Sequence, residues 1–168
     1  MRIKLEYLNL ALLFASKDAT RRELNGVWVT PEGLIFGLNG YALVKCQGRD
    51  LSDELLAPVQ LRLDKPIPKG KQGLVDLDVS TGVLSVVGGP RVLCEVRADL
   101  TPPAWENVWP QEKEQVPVEQ VGIAGQYLSL IAKVGDVVLT FHGALEAILF
   151  QRCGDPDVSG LVMPMALE

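Results

Sequence analysis

The sequence contains few of the residues on which catalytic, metal-binding and disulfide-rich proteins depend. Its 168 residues include one histidine, His142, and three cysteines, Cys46, Cys94 and Cys153. Because the cysteines are odd in number and far apart, they argue against a disulfide framework, and no CxxC pair indicates a zinc site. We therefore expect buried, reduced thiols, no metal ion and no cofactor.

Long apolar runs are also missing. No stretch approaches the ~20 apolar residues needed to cross a bilayer, so no membrane partner is expected. Residues 1–15 superficially resemble a signal peptide, but Glu6 and Asn9 interrupt the apolar run and no Ala-x-Ala-like cleavage site follows. The segment is more typical of a strand that leads into a helix, and a cytoplasmic protein is the expectation.

An excess of positive charge is absent too. The chain has 16 Lys and Arg residues against 21 Asp and Glu residues, which gives a net charge of −5. This balance argues against bulk electrostatic capture of nucleic acid, although it leaves room for a local basic surface. With 48% apolar residues, the chain is able to bury the core of a domain.

No motif supports catalysis. The segments GKQG and VGGP lack the spacing of a phosphate-binding loop. His142 falls at a predicted turn, and a dyad with Cys153 would lack a third group to orient it. Asp76 and Asp78 share one face of a strand, where a solvated stripe is more typical than a cation site. We expect no enzymatic activity, and a small enzyme of another α+β fold built around His142 or Cys153 is a rival hypothesis.

The hydrophobic periodicity repeats one order of elements. Apolar residues predict a helix over 8–19, and the i, i+3, i+4, i+7 pattern that starts at Ala124 predicts another over 124–134. Each helix follows a predicted strand and precedes three more. We predict an α+β fold of two βαβββ-type units with their helices on one face of antiparallel sheets. Strands are predicted at 2–7, 27–30, 34–38, 41–46, 59–63, 74–80, 83–88, 92–100, 118–123, 136–141, 145–152 and 161–165.

We predict a single domain, 1–168, in three parts. Residues 1–100 form the first unit with an additional β-meander, and residues 116–168 form the second unit. Between them, residues 101–115 form a connector rich in Pro and Trp, whose large rings are expected to hold it against the core.

Three segments carry a family resemblance: RRELNGVWVTPEGLIFGLNGYALV (21–44), PPAWENVWP (102–110) and VMPM (162–165). They resemble, in the same order, three segments of the sliding clamp of bacterial DNA polymerase III, the beta subunit. The first is similar to the Arg-x-x-Leu-Asn-Gly strand and the Thr-Asp-Gly-His-Arg-Leu loop of that family. The second is similar to its Phe-Pro-x-Tyr-x-x-Val-x-Pro connector, and the third to its C-terminal Val-Met-Pro-Met.

The chain departs from the family pattern in three ways. It is far shorter than a three-domain clamp subunit, and Tyr41 and Ala42 stand where the family has His-Arg. A Pro/Gly/Lys loop at 66–73 replaces an expected helix, since its two prolines disfavour one. The resemblance therefore implies a compact, phage-type relative with a clamp-like (processivity) fold.

The resemblance implies a DNA-replication processivity factor that binds double-stranded DNA without reading its sequence. The residues implied for DNA binding are Lys17, Arg21 and Arg22 near the end of the first helix and Lys133 on the second. The alternative is that these are solvated helix-end charges, with Asp18 and Arg22 forming an ion pair. A second loose basic group is more typical of plain surface; it comprises Arg62, Lys65, Lys69 and Lys71.

The resemblance also implies a pocket for replication proteins that carry a clamp-binding peptide. Its implied walls are Tyr41 and Leu43 on one side, and Val162, Met163, Pro164 and Met165 on the other. Methionine suits a pocket that accepts different ligands because its side chain repacks easily. The alternative is that both methionines are ordinary core residues.

A closed ring would require self-association of this chain through edge strands, so a homo-oligomer is expected. In a one-domain chain the two walls of the pocket would meet only where subunits associate. The rival hypothesis is a non-encircling clamp-fold decoy or regulator of host replication proteins, which would dock partners but would not bind DNA.

Overall fold

The computed structural model describes residues 1–48, 55–63, 66–68, 73–110 and 117–166. In these ranges the chain forms twelve strands and two α-helices. The helices are α1 (Leu5–Phe14) and α2 (Gly125–Val134). The strands are β1 (Arg2–Lys4), β2 (Val27–Val29), β3 (Leu34–Leu38), β4 (Ala42–Gln47), β5 (Val59–Arg62), β6 (Leu74–Asp78), β7 (Val83–Val86), β8 (Arg91–Leu93), β9 (Glu95–Arg97), β10 (Val137–Thr140), β11 (Ile148–Arg152) and β12 (Val158–Val162).

The strands form two antiparallel sheets. The smaller sheet has the order β1-β6-β7-β8, and the larger has the order β10-β11-β12-β4-β3-β2-β5-β9. In the larger sheet, β12 lies antiparallel to β4, with Val158 opposite Cys46 and Val162 opposite Ala42. This pairing joins the last fifty residues to the first fifty in one continuous sheet. The predicted division of the chain at 101–115 stays a prediction.

Alternation along the strands separates two apolar clusters on opposite faces of the larger sheet. Val27 and Val29 belong to the first cluster, while Trp28 between them belongs to the second. The first cluster also contains the buried residues of α1 and, from α2, Ile131 and Val134. Both helices therefore pack on the same side of this sheet, as predicted.

Helix α1 begins and ends earlier than predicted. It spans Leu5–Phe14, so the predicted helix over 8–19 is wrong at both ends. Six of its ten residues are buried. A helix that is apolar on nearly all sides packs against other elements on several sides, and residues of β6 and β7 from the smaller sheet share its cluster. Helix α1 therefore lies between the two sheets.

The segment 66–68 covers part of α1 where the family resemblance would place another helix. Ile67 is buried, and the Asn9 side chain bonds to both of its backbone groups. The Asn9 amide nitrogen donates to the Ile67 carbonyl at 3.1 Å, and its oxygen accepts the Ile67 N–H at 2.9 Å. The described part of this loop is not helical, as predicted, and residues 69–72 lie outside the described residues.

Several predicted strands have different bounds in the structure, and the strand expected at 2–7 ends at Lys4, where α1 begins. The strand expected at 92–100 is divided at Cys94 into β8 and β9, which belong to different sheets. The segment 118–123 contributes only an isolated bridge, Gly122 to Met165. The final strand was expected at 161–165 and lies instead at Val158–Val162. It does not continue to residue 165 because Pro164 has no N–H to donate to the backbone ladder.

Aromatic rings hold residues 101–110 of the connector against the second face of the larger sheet, while residues 111–115 lie outside the described residues. A 3₁₀ turn at Trp105–Val108 places Trp105 5.9 Å from Phe36 and 5.6 Å from Trp109, between ring centroids. The Lys45 ammonium lies over both tryptophans, 3.7 Å from the Trp109 centroid. Burial lowers the pKa of Lys45, although Glu106 nearby opposes the shift. Ring burial and cation–π attraction thus hold the connector in place.

We predict that Gly37→Ala destabilises the fold because α1 packs directly on this glycine. A Cβ at position 37 would overlap the Ala11 carbonyl oxygen, which is backbone and cannot rotate away. The free energy of unfolding should fall by about 1–3 kcal/mol, the usual cost of overpacking. The control is Gly125→Ala, whose Cβ meets nothing within 4 Å. Urea denaturation that shows equal stabilities for the two variants would contradict this packing.

A second prediction concerns the connector. Trp105→Ala removes the ring between Phe36 and Trp109 and should lower the free energy of unfolding by on the order of 2 kcal/mol. It should also expose residues 101–110 to limited proteolysis. Val108→Ala in the same turn should cost less than about 0.5 kcal/mol, because that side chain is exposed. An unchanged cleavage rate in the Trp105 variant would mean that the rings do not hold the connector.

Candidate functional site

The C-terminal segment lies directly beside the loop between β3 and β4. Beyond β12, the Met163 N–H donates to the Tyr41 carbonyl at 2.7 Å, and the Met165 N–H donates to the Gly122 carbonyl at 2.9 Å. The chain end is therefore fixed at two points, one in each half of the sequence. The two walls implied by the resemblance meet within one chain, contrary to the expectation that subunits would have to associate.

Four apolar residues flank these backbone contacts and are here called the apolar patch: Tyr41, Met163, Pro164 and Met165. Tyr41 is 56% exposed and Met165 is 50% exposed, while Met163 and Pro164 are half-buried. Met163 also packs against the second cluster, which contains Leu43. The alternative that both methionines are core residues is thus wrong for Met165 and partly right for Met163.

Two predicted pocket residues are buried. Leu43 is 2% exposed and belongs to the second cluster beneath Met163. Val162 is 0% exposed and belongs to the first cluster, on the helix side of the sheet. Adjacent strand residues point to opposite faces, so Val162 supports the patch through the backbone only.

The loop that presents Tyr41 has a defined turn geometry. The Asn39 side-chain oxygen accepts the N–H groups of Tyr41 and Ala42, each at 3.0 Å. Gly40 between them has a φ of 94°, which favours glycine. The Tyr41 ring then stacks on Tyr127 in the first turn of α2, with centroids 6.1 Å apart. Tyr41 thereby connects the apolar patch to the helix side of the molecule.

The basic residues near α1 lie in a turn beyond the helix. Lys17, Arg21 and Arg22 follow its last residue, Phe14, so their prediction as helix-borne residues is wrong. The turn is nevertheless stabilised by hydrogen bonds. Its base is held by the Asn25 amide, which donates to the Ser16 carbonyl at 2.8 Å.

Within this turn, Asp18 accepts the Thr20 N–H at 2.9 Å and the Thr20 hydroxyl at 2.7 Å. These bonds lower the pKa of Asp18. The predicted Asp18–Arg22 pair is wrong. Asp18 lies 3.9 Å from Arg21 instead, and Arg22 lies 3.5 Å from Asp99.

A groove of about 990 Å³ runs between this turn and α2. Its described lining includes four cations but only one carboxylate, so it is a local basic surface on an acidic protein. Polar amides and the stacked tyrosines complete the wall. The cations are Lys17, Arg21, Arg62 and Lys133, the carboxylate is Asp18, and the tyrosines are Tyr41 and Tyr127.

The groove brings together three of the four predicted DNA-binding residues and leaves out Arg22, which does not line it. It adds Arg62, which was assigned to plain surface and which also lies 3.4 Å from Glu95. Lys65, Lys69 and Lys71 lie outside the described residues. Tyr127 was not predicted as a site residue. Its position in the first turn of a helix, opposite the Tyr41 loop, depends on long-range pairing that no local pattern reveals.

The sheet topology separates the residues considered for catalysis. Cys153 lies opposite Asp136 at one end of the β10–β11 hairpin, whereas His142 follows β10 at the other end. At about 3.3 Å per residue, the six residues from 136 to 142 span roughly 20 Å. The Cys153–His142 dyad is therefore excluded. The absence of enzymatic activity stays a prediction.

The carboxylates and cysteines have separate local roles. Asp76 accepts a hydrogen bond from the Arg2 guanidinium at 2.8 Å. Asp78 accepts a hydrogen bond from the Ser80 hydroxyl in the following turn, and this bond lowers the pKa of Asp78 to about 2. Among the described residues, no three His, Cys, Asp or Glu side chains form a metal-binding group. The cysteines are free, and Cys153 is exposed rather than buried as expected.

No described helix is long and apolar enough to cross a membrane.

Comparisons with solved structures give one consistent result, although no protein-family model and no curated protein matches the chain. The DNA polymerase sliding clamp from Bacillus subtilis has a TM-score of 0.70 at 13% identity, over 100% of this chain and 64% of that chain. The sliding clamp from Caulobacter crescentus has a TM-score of 0.69 at 14% identity, over 99% and 65%. The DNA polymerase III beta subunit from Thermotoga maritima has a TM-score of 0.65 at 15% identity, over 100% and 65%.

This chain thus spans just under two thirds of the length of the clamps that it matches. Identities of 13–15% carry no residue-level conclusion, whereas a TM-score near 0.7 over the whole chain establishes the architecture. The two antiparallel sheets, with helices on one face of the larger sheet, are those of the bacterial sliding-clamp fold.

Proposed function

We propose that the chain is a clamp-fold docking factor of DNA replication that binds partner proteins through the apolar patch. The observation that carries this proposal is the contact between the two halves of the chain, in which the Met163 N–H bonds to the Tyr41 carbonyl at 2.7 Å. It fixes the backbone of the methionine segment against the backbone of an exposed tyrosine. Apolar, adaptable surfaces of this kind suit short peptides with apolar anchors.

The residues at and beneath the patch differ in burial, and their proposed roles differ accordingly. Tyr41 and Met165 expose about half of their surface and would contact the peptide directly. Leu43 would form the floor, while Val162 would hold the backbone in register with β4. The partner class is a replication protein that carries a clamp-binding peptide.

A second part of the proposal concerns double-stranded DNA. Lys17, Arg21 and Lys133 line one groove with Arg62, which supports contacts to backbone phosphates. The helices themselves supply little charge, since α1 contains no Lys or Arg and α2 contains only Lys133. The groove would therefore contact DNA at one place, and binding without encirclement is the form that we propose.

The scarcity of helix-borne charge also favours the rival function. A decoy or regulator of host replication proteins would use the same apolar patch but would not bind DNA. The two functions differ in one measurable property, the affinity of the groove for duplex DNA.

We predict that Tyr41→Ala combined with Met165→Ala weakens binding of a clamp-motif peptide by at least about tenfold, or 1.4 kcal/mol. Both side chains are exposed, so the fold should be unaffected. The control is Leu145→Ala, which removes an apolar side chain that is 70% exposed at another place. Fluorescence anisotropy with a labelled peptide measures the affinity. Equal affinities for the double variant and the control would remove the patch from the proposed role.

We predict that Lys17→Glu combined with Lys133→Glu weakens binding of a short DNA duplex at low salt. Each lost phosphate contact should reduce the slope of log K against log salt by about 0.9. Arg22→Glu is the control, because Arg22 lies outside the groove and pairs with Asp99. If the control weakens binding as much as the double variant, the groove is not the contact. If the unmodified chain does not bind the duplex, the decoy function stands.

A further inference from the structure

Three side chains form a row across β2, β5 and β9 on the second face of the larger sheet. Trp28 lies opposite Gln60, and Gln60 lies opposite Arg97. Opposite residues of neighbouring strands point to the same face. Gln60 is 0% exposed and Arg97 is 8% exposed, so neither side chain reaches a ligand in solvent. A buried amide and a buried guanidinium need partners inside the protein.

Gln60 finds its partners in the backbone of the basic turn, residues 15–26, which carries the cations that follow α1. Its amide nitrogen donates to the Arg22 carbonyl at 2.9 Å and to the Glu23 carbonyl at 3.0 Å. The Trp28 indole N–H donates to the same Glu23 carbonyl at 2.8 Å. A Cβ at Gly26 would lie 2.7 Å from the Gln60 Cγ, so the glycine leaves room for this approach.

Arg97 determines which end of the Gln60 amide faces the turn. The Arg97 Nη1 donates to the Gln60 side-chain oxygen at 3.2 Å, so the amide nitrogen with its two N–H donors points at the carbonyl groups. Glu95 accepts the Nε and Nη2 donors of Arg97 at 2.9 Å and 3.0 Å, which fixes the guanidinium plane. Glu95, Arg97 and Gln60 therefore form one chain of hydrogen bonds that ends on the basic turn.

These bonds hold the basic turn where it passes from one side of the larger sheet to the other. Before this point, Arg21 lines the groove on the helix side. A Cβ at Gly40 would lie 3.3 Å from the Arg21 Nη1, so this guanidinium reaches the β3–β4 loop. Arg22 instead lies beside Asp99 and outside the groove, and Leu24 already belongs to the second cluster.

We propose that Gln60, oriented by Arg97, is a positioning residue that directs Arg21 into the groove and Arg22 away from it. Because both side chains of the chain of hydrogen bonds are buried, they act only through the backbone at residues 22 and 23. The two arginines are neighbours in sequence, so a change in the backbone between them is enough to exchange their positions. The consequence for DNA rests on the proposed function, whereas the fixed turn does not.

Gln60→Met tests this role, because methionine has a similar volume and donates no hydrogen bond. In the unmodified chain, Arg21→Glu should weaken binding of a short DNA duplex at low salt about tenfold, and Arg22→Glu less than about twofold. In the Gln60→Met background the two substitutions should have equal effects. Gln60→Glu keeps an oxygen for Arg97 but sets another oxygen against the carbonyl groups, so it should give the same result. An unchanged difference between the arginines in both backgrounds would overturn the inference.

Val59→Ala is the control for lost stability. Val59 precedes Gln60 in β5, is buried in the first cluster and points to the opposite face of the sheet. Its truncation leaves a cavity and destabilises the fold, but the difference between Arg21→Glu and Arg22→Glu should persist in this background. Loss of that difference in the control as well would assign the effect to destabilisation and contradict the positioning role.

Amide hydrogen exchange separates this inference from the proposed function, because it requires no DNA. The N–H groups of Leu24 and Asn25 donate to the Arg21 carbonyl at 3.0 Å and 3.1 Å. Gln60→Met should speed the exchange of both amides by roughly tenfold relative to Val59→Ala. Unchanged protection would overturn the positioning role, even if the duplex binds. If protection falls as expected but the unmodified chain does not bind the duplex, only the DNA contact is wrong.

Discussion

The pairing of β12 with β4 is the contact on which the rest of the structure depends. Five residue pairs, from Val158–Cys46 to Val162–Ala42, join segments that are more than a hundred residues apart in sequence. The ladder leads directly into the bond from the Met163 N–H to the Tyr41 carbonyl, and Met165 is then held by Gly122. Without the ladder, the methionines would belong to an exposed tail. With it, their backbone is fixed next to that of Tyr41. The long sequence separation makes this pairing costly to form, because the loop entropy is lost before the contacts are gained.

The two faces of the larger sheet pack against different parts of the chain, because side chains along each strand point alternately to one face and the other. On one face, valines and isoleucines pack against α1 and α2 and position the basic groove between them. On the other face, Trp28 and Phe36 receive the connector through Trp105 and Trp109. The apolar patch lies at the strand end where the β3–β4 loop meets the C-terminal segment, and Tyr41 reaches from it to Tyr127 on α2. A single sheet therefore supports the apolar patch and the basic groove, and Tyr41 belongs to both.

Local patterns predicted the elements that have a clear period and failed where burial removes it. The helix predicted over 124–134 matches α2 to within one residue, since its polar residues interrupt the apolar ones regularly. Helix α1 was displaced by several residues because it is apolar on nearly all sides, so that no face marks its start or end. The same limit applies to the site. The motif at 162–165 identified the segment, but only the strand register reveals that Val162 faces the helices while Met163 packs on the other side. Arg62 and Tyr127 could not be placed at the groove without the sheet order.

The three methionines allow a direct test of the proposed docking surface. Met163 and Met165 belong to the patch, whereas Met1 lies at the smaller sheet, where its NH₃⁺ group donates to the Leu77 carbonyl of β6. In a chain labelled with ¹³C only at the methionine methyl groups, NMR should therefore show three signals. On titration with a clamp-motif peptide, we expect the signals of Met163 and Met165 to shift in a saturable manner and that of Met1 to stay in place. Saturable binding that leaves both C-terminal methionine signals unmoved would contradict the account.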